Sequence, residues 1–279
     1  MNLNFVRYAD LARVIGAVPP MPEIRCVVGV PRSGMIPATM LAIQMNVPVG
    51  MVGSDVAGGG ARTNGGCMLP DNGILLVDDS VLTGRSMREA KATLMQRGIP
   101  EDAIRTMAVF VAPGSETMVD NYCFVLKPPR IFEWNLFNND LARNVMFDMD
   151  GVLCFDPTAF DDDGEEYGIA LRTATPRFLP QRPVHSIVTN RIERWRKTTE
   201  EWLTLHGVKY GELVMQPHKT AAERRLLSDP ADYKAKRYRE SEAWLFVESH
   251  DHIGKAIAQM SRRPVFSVQS GSVFKEKAK

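Results

Sequence analysis

The chain has 279 residues, 44% of them hydrophobic, which suits two domains that each bury their own core. Its 34 Lys and Arg residues balance 33 Asp and Glu residues, which argues against a general affinity for nucleic acid or anionic membranes. No run approaches the ~20 apolar residues of a membrane span, and the start of the chain lacks a signal-peptide core. The four cysteines are well separated, which favours reduced thiols, so we expect a cytoplasmic protein.

Short apolar runs, separated by helix-like stretches, recur along the whole chain. Their continuous hydrophobicity is typical of strands buried on both faces. The alternation of strands and helices predicts an α/β protein with two parallel-sheet, Rossmann-like domains. Residues 127–143 have turn chemistry, including Pro128 and Pro129, and no clear period. We therefore place the domain boundary after Arg143, which gives domains 1–143 and 144–279.

A phosphate-binding pattern follows the apolar run at residues 74–77. Two adjacent carboxylates, Asp78 and Asp79, precede the turn Thr83-Gly84-Arg85-Ser86. Backbone N–H groups, hydroxyls and a helix N-terminus suit a phosphate dianion, and the carboxylates suit ribose hydroxyls and magnesium. A purely structural alternative is that the acidic pair caps the next helix and Gly84 only makes a turn.

The stretch from Ile74 to Met87 closely resembles the phosphoribosyl pyrophosphate (PRPP) signature of type I phosphoribosyltransferases. Val28 to Pro37 resembles the pyrophosphate loop of the same family, and the resemblance covers about residues 24–112. It implies that the acidic pair faces the ribose hydroxyls and that the turn holds the 5′-phosphate. It also implies that the pyrophosphate is bound by Arg32, Ser33 and Gly34, and that the glycine-rich loop around Arg62 closes over the site.

One position departs from the hypoxanthine-guanine members of this family. Leu82 stands where those members carry an aspartate that handles the purine ring proton, which argues against a hypoxanthine-like acceptor. The acceptor, a base or an amine, stays open. Base recognition would fall to residues 1–22 or 131–135, where Trp134 suits packing better than base stacking.

Two further carboxylates follow the apolar run at residues 144–147. Asp148 and Asp150 stand at i and i+2, which on an extended chain places them on one side, where they could share a metal ion. The run from Val145 to Leu153 resembles the haloacid dehalogenase superfamily. The resemblance implies that Asp148 attacks phosphorus, and that Asp150 protonates the leaving group and then activates water.

The same resemblance, over about residues 144–268, implies the remaining parts of a phosphomonoesterase site. Thr189 would donate its hydroxyl to the phosphoryl oxygens, and Lys234 would balance charge around them. Glu248, where aspartate is more usual, and Asp251 are the candidates to join Asp148 and Asp150 around Mg²⁺, directly or through water, and which of the two reaches the ion stays open. The short interval between Asp150 and Thr189 implies a small cap or none. Surface exposure is expected for the acidic run at 161–166 and for His250 and His252.

Basic runs at residues 191–197 and 224–239 could indicate nucleic acid and an end-processing phosphatase. Both runs are interleaved with acidic residues, so solvated helix faces are favoured. The sequence thus predicts a bifunctional enzyme that transfers phosphoribose and hydrolyses a phosphomonoester, the nucleotide product being one candidate substrate. The alternative is a first domain that only senses PRPP and regulates the phosphatase. Oligomeric state, including a homo-oligomer, stays open.

Overall fold

The computed structural model describes residues 3–54, 56–57, 67–157 and 164–275. Strands and helices alternate along the chain, and the larger sheets are parallel but for one edge strand, so the predicted α/β class is confirmed. The chain divides into two compact units, Val6–Arg130 and Met1–Phe5 with Ile131–Lys279. Within the described ranges, no helix is both long and apolar enough to cross a membrane.

The first unit is built on a five-stranded parallel sheet with the order β3-β2-β6-β7-β8. A short antiparallel pair, β4 and β5, forms a separate sheet. A further two-stranded sheet, β1 with β9, is made mostly of residues of the second unit. In chain order, the elements as far as Phe132 are β1 (Asn4–Val6), α1 (Tyr8–Gly16), β2 (Cys26–Gly29), α2 (Met35–Met45), β3 (Val49–Met51), β4 (Val56–Ala57), β5 (Cys67–Met68), β6 (Ile74–Val81), α3 (Arg85–Gln96), β7 (Ile104–Val111), β8 (Asn121–Val125) and β9 (Arg130–Phe132).

Strand β6 occupies the centre of this sheet and carries the acidic pair. Its apolar half, Ile74 to Val77, is fully buried between β2 and β7. The strand then continues through the acidic pair to Val81, because its ladder with β7 extends that far. Helix α3 packs on the sheet through Met87, Ala90 and Leu94, at the three- and four-residue spacing of an amphipathic helix. The acidic pair therefore belongs to a rigid strand rather than to the turn.

The second unit is built on a six-stranded sheet with the order β12-β11-β10-β13-β14-β15, in which only β15 is antiparallel to its neighbour. Strand β10 lies near its middle, so the ends of β10, β11 and β13 meet at one edge. The elements are β10 (Val145–Phe147), α4 (Glu165–Arg172), β11 (Val184–Ile192), α5 (Arg196–Leu205), β12 (Tyr210–Gln216), α6 (Ala221–Leu227), α7 (Pro230–Glu240), β13 (Leu245–Glu248), α8 (Asp251–Ser261), β14 (Val265–Ser267) and β15 (Ser272–Phe274).

The two units divide between Arg130 and Ile131, upstream of Arg143, where the sequence analysis places the domain boundary. The segment between these points contains short 3-10 turns, which explains its lack of a clear period. Its apolar side chains Ile131 and Leu136 are buried in the same cluster as Phe147. This irregular segment is therefore part of the second core.

Candidate functional site

The turn between β2 and α2 lies against the end of β6 in the first unit. A Cβ atom on Gly34 would stand 2.6 Å from the carbonyl oxygen of Val30, 2.8 Å from that of Val77 and 2.9 Å from Oδ1 of Asp78. Two of these atoms belong to the backbone and cannot move away cheaply, so only glycine fits here. The peptide between Pro31 and Arg32 is cis. Arg32 is exposed and Ser33 is half-buried. The close approach of Gly34 to Asp78 brings the predicted pyrophosphate-binding residues next to the acidic pair.

The acidic pair is buried at the end of β6. The backbone N–H of Asp79 donates to Oδ1 of Asp78 at 2.9 Å. Burial, with the neighbouring charge of Asp79, raises the pKa of Asp78 to about 8. Burial lowers the pKa of Arg130, and the nearby carboxylate of Asp79 opposes that fall. The end of β6 thus presents carboxylate oxygens that have been removed from water.

The predicted phosphate turn opens helix α3. Gly84 has a φ of 68°, a conformation in which glycine is unstrained, and precedes the first helical residue. Arg88 donates to the carbonyl of Thr83 at 3.1 Å and Ser115 donates to that of Leu82 at 2.7 Å, which fixes the turn from two sides. A cavity of about 170 Å³ lies here, lined by Asp78, Ser80, Val81, Leu82, Thr83, Gly84, Arg85, Ser86, Met87 and Arg130.

Four other residues were considered for the first site. The structure places Arg85 in an exposed ion pair with Glu89 at 2.8 Å. Leu82 is 57% exposed at the rim of the cavity, with no role in the core. Trp134 stacks on Phe132 with ring centroids 5.0 Å apart, in the second unit. Arg62 and its glycine-rich loop lie outside the described residues.

A buried cation joins two carboxylates in the second unit. Lys234 of α7 extends to the sheet, and its Nζ lies 2.8 Å from Oδ2 of Asp148 and 2.8 Å from Oε2 of Glu248. All three side chains are almost fully buried. Burial alone would lower the pKa of Lys234, but the two carboxylates outweigh it and raise that pKa. The ammonium group is therefore held charged between the ends of β10 and β13.

The two carboxylates of this cluster differ in their surroundings. Burial and the charge of Glu248 raise the pKa of Asp148 well above its usual range, although Lys234 opposes them. Burial also disfavours ionisation of Glu248, but Lys234 outweighs it and the pKa of Glu248 is lowered. Ser249, which the sequence analysis did not single out, donates through its hydroxyl to Oε1 of Glu248 at 2.9 Å. Gly151, with a φ of 77°, passes so close to Ser249 that a Cβ atom there would lie 2.5 Å from the serine Cβ.

Asp150 is held by an arginine that sequence reasoning misassigned. Nε and Nη2 of Arg191 reach Oδ1 of Asp150 at 3.1 and 2.5 Å, and the arginine side chain is only 1% exposed. The expectation that Arg191 lies on a solvated helix face is wrong, because it belongs to β11 and helix α5 begins later, at Arg196. Thr189 is also fully buried, and its hydroxyl accepts the N–H of Arg191 at 3.1 Å.

Asp251 and the two histidines lie beside this cluster in different contacts. Asp251 begins α8, and its Oδ1 accepts a hydrogen bond from Ser270 at 2.7 Å. His250 is half-buried, with Nδ1 at 2.8 Å from the hydroxyl of Ser249, whereas His252 is exposed. Across the described residues, no three His, Cys, Asp or Glu side chains converge into a group that could hold a metal ion. The acidic run's first residues, at 161–163, lie outside the described part of the chain.

Comparison with known proteins finds one family match, in the earlier part of the chain. Residues 22–145 match the family model described as Phosphoribosyl transferase domain. A search of the curated proteins found no match.

The chain is also similar to solved phosphoribosyltransferase structures. A purine phosphoribosyltransferase from Pyrococcus horikoshii Ot3 is 20% identical, with a TM-score of 0.37, over 48% of this chain and 95% of that chain. The xanthine-guanine-hypoxanthine phosphoribosyltransferase of Helicobacter pylori is 17% identical, with a TM-score of 0.37, over 48% and 94%. An orotate phosphoribosyltransferase from Aeropyrum pernix is 20% identical, with a TM-score of 0.32, over 42% and 70%.

Proposed function

We propose that the chain is a bifunctional, magnesium-dependent enzyme. Its first unit transfers phosphoribose from PRPP to a base or an amine, and its second unit hydrolyses a phosphomonoester by the chemistry of the haloacid dehalogenase superfamily. The transferase half is supported by the family match over residues 22–145 together with the glycine turns around the acidic pair. The hydrolase half is supported above all by the 2.8 Å contacts of Lys234 with Asp148 and Glu248.

In the transferase, the buried strand end and the two turns divide the work of binding PRPP. Thr83, Gly84, Arg85 and Ser86 offer N–H and hydroxyl donors to the 5′-phosphate at the start of α3. Asp78 and Asp79 accept hydrogen bonds from the ribose hydroxyls. Arg32, Ser33 and Gly34 face the pyrophosphate. The acceptor nitrogen then attacks the anomeric carbon as the bond to pyrophosphate breaks, through an oxocarbenium-like transition state. The negative charge that develops on the pyrophosphate is stabilised by Arg32 and by the proposed Arg62 loop.

Magnesium suits the oxygen donors of this site. Burial, with the neighbouring charge of Asp79, raises the pKa of Asp78, so a divalent cation carried in with PRPP would be favourable there. When bound, the ion supplies neutralisation of phosphate charge. The acidic pair holds both the ribose and the cation. Its place on a buried strand suits this role, because the strand fixes the positions of the two carboxylates.

In the hydrolase, Asp148 attacks phosphorus while the bond to the leaving oxygen breaks and Asp150 gives that oxygen a proton. The resulting aspartyl-phosphate is hydrolysed by a water molecule that Asp150 deprotonates, which releases phosphate and restores Asp148. Thr189 donates its hydroxyl proton to a phosphoryl oxygen, while its own oxygen accepts a hydrogen bond from the backbone N–H of Arg191. Lys234 offsets the negative charge that gathers on Asp148 and the phosphoryl group.

The donor chemistry of this cluster also fits magnesium. Asp148, Asp150 and Glu248 carry three negative charges when ionised, and Lys234 and Arg191 carry two positive ones, so one negative charge is left over. Since these three carboxylates do not converge as a ready-made metal site among the described residues, they would hold the ion in part through water. When bound, it supplies stabilisation of phosphoryl charge. Asp251 stays a weaker candidate, because its carboxylate is engaged by Ser270.

Two relations between the activities stay open. In one, the transferase makes a 5′-phosphorylated ribosyl product and the phosphatase converts it to a nucleoside-like compound. In the other, the phosphatase acts on a phosphate of the acceptor or on an unrelated substrate. A third reading, from a different class, is that the first unit only senses PRPP and regulates the phosphatase.

Pyrophosphate release from PRPP separates a transferase from a sensor. The full chain is assayed with Mg²⁺ across a panel of purines, pyrimidines and amines, with PRPP binding measured in parallel. Turnover with at least one acceptor, lost after treatment with EDTA, is the expected result. Tight binding of PRPP with no pyrophosphate release across the panel would favour the sensor.

A further inference from the structure

Arg191 lies directly behind Asp150 as seen from solvent. Its Nε stands 3.1 and 3.0 Å from the two carboxylate oxygens, and its Nη2 stands 2.5 Å from Oδ1. The side chain of Arg191 is 1% exposed, whereas that of Asp150 keeps 21% of its surface exposed. The guanidinium group therefore supports the carboxylate from the protein side and leaves its outer side open.

The guanidinium group is itself fixed by neighbours from two other elements. Nη1 donates to the hydroxyl of Thr199, a fully buried residue of α5, at 3.1 Å. Nη2 also lies 3.4 Å from the sulfur of Cys154, in the turn that follows β10. Because the planar fork of an arginine determines the plane of the carboxylate that it binds, these contacts set the orientation of Asp150.

Stability alone gives little reason for such an arrangement. Burying an arginine removes it from water, and replacing a buried ion pair with well-packed apolar residues is often neutral or stabilising. The guanidinium is also too deeply buried to reach a phosphate in solvent. The function that remains for it is to hold the carboxylate of Asp150.

We propose that Arg191 is the positioning residue of Asp150, which it holds at the angle needed for proton exchange with the leaving oxygen and with water. The inference rests on the proposed phosphatase function and deepens it. A positioning residue of this kind acts through Asp150, so its loss impairs the step that needs a proton and spares substrate binding.

The test compares two leaving groups. Arg191→Lys and Arg191→Gln variants of the full chain are assayed with an alkyl phosphomonoester, whose leaving group needs a proton, and with p-nitrophenyl phosphate, whose leaving group does not. We expect kcat on the alkyl ester to fall about 100-fold in Arg191→Gln, with a much smaller fall on the nitrophenyl ester and an unchanged KM. The lysine variant should recover part of the loss.

Three companion variants sharpen the comparison. Asp150→Asn should show the same dependence on the leaving group, and Arg191→Gln should add no further loss in that background. Thr199→Val removes one support of the guanidinium without touching Asp150, so a weaker form of the same pattern is expected even if the Arg191 variants fold poorly. Arg194→Gln, at an exposed arginine in the short 3-10 turn that follows β11, should behave as wild type.

The outcomes separate the inference from the proposed function. Equal losses on both esters, a rise in KM as the main effect, or additive losses in the double variant would overturn the positioning role. A Thr199→Val protein with uniform loss on the two esters would overturn it as well. If the wild-type chain hydrolyses neither ester, the phosphatase proposal fails and the inference fails with it.

Discussion

Nζ of Lys234 lies 2.8 Å from Oδ2 of Asp148, although the two residues belong to a helix and a strand end that are far apart in the chain. Glu248 completes the contact on the other side of the ammonium group, also at 2.8 Å. An ion pair that is taken out of water is strongly disturbed when one partner is removed, because the other charge is then left buried without compensation. The cluster therefore links the stability of the second unit to the chemistry proposed for it.

Replacing Lys234 with methionine should destabilise the protein and abolish phosphatase activity. The side chain keeps its length but leaves two carboxylates uncompensated, so we expect a loss of about 3 kcal/mol or more, measured by urea unfolding. Lys236→Met, at an exposed position of the same helix, is the matched control and should change little. A Lys234→Met/Glu248→Gln double variant should regain part of the stability. A fully active Lys234→Met protein would contradict the proposed role.

Replacing Gly34 with alanine should weaken PRPP binding. The new Cβ atom would meet two backbone carbonyls and Asp78 at less than 3 Å, so the pyrophosphate turn must move away from β6. We expect the affinity for PRPP to fall about tenfold or more, equivalent to about 1.4 kcal/mol, by isothermal titration calorimetry. Gly16→Ala, where a Cβ atom meets nothing within 4 Å, should bind PRPP normally. Unchanged binding in Gly34→Ala would show that this turn does not contact the ligand.

The acidic pair should make stability depend on pH. The pKa of Asp78 is raised to about 8 in the folded protein, whereas it is about 4 in an unfolded chain. Between these values the folded state holds more protons, so this residue's contribution to stability falls as pH rises, by at most about 1.4 kcal/mol per pH unit. Asp78→Asn should therefore gain stability relative to wild type from pH 5 to pH 8, measured by thermal unfolding. The stability of Asp71→Asn, at an exposed position, should depend on pH as that of wild type does. If Asp78→Asn also followed wild type, the two carboxylates would not share a proton.

Leu82 should exclude hypoxanthine and guanine as efficient acceptors. Its side chain is 57% exposed at the rim of the cavity and offers no group to handle a purine ring proton. We expect Leu82→Asp to leave stability within about 0.5 kcal/mol, since the position is exposed, and to raise pyrophosphate release with hypoxanthine. Leu205→Asp, also an exposed leucine, is the control for the added charge. Efficient turnover of hypoxanthine by the wild-type chain would contradict this reading.

Much of the fold could be predicted from local patterns. The apolar runs became strands because continuous hydrophobicity reports burial on both faces, and the residues that end those strands gathered at sheet edges because the sheets are parallel. The extension of β6 through Asp78 and Asp79 was missed, since pairing with β7 decides where a strand ends and no local pattern reports it.

The missed parts of the site depend on contacts between distant segments. In the sequence, Arg191 is one member of a basic run. Only the fold, through β11, places it against Asp150, which is 41 positions away in sequence. Ser249 carries no signal beyond its place after Glu248, yet it bonds both that residue and Asp148. The interval between Arg130 and Arg143 looked like a linker because its 3-10 turns have no clear period, although its apolar residues are buried.

The central claim is that one chain carries two separate catalytic centres, and a paired assay of Asp148→Asn and Gly34→Ala tests it most directly. Phosphate release from a phosphomonoester and pyrophosphate release from PRPP are measured for both variants and for the wild-type chain, with an acceptor found active in the panel. We predict that Asp148→Asn loses phosphate release and keeps pyrophosphate release. Gly34→Ala, assayed with PRPP below its wild-type Kd, should keep phosphate release and lose most of its pyrophosphate release. If the transferase product feeds the phosphatase, its 5′-phosphorylated form should accumulate in Asp148→Asn. An Asp148→Asn protein that still hydrolyses phosphomonoesters, or a Gly34→Ala protein that releases pyrophosphate at the wild-type rate, would contradict the account.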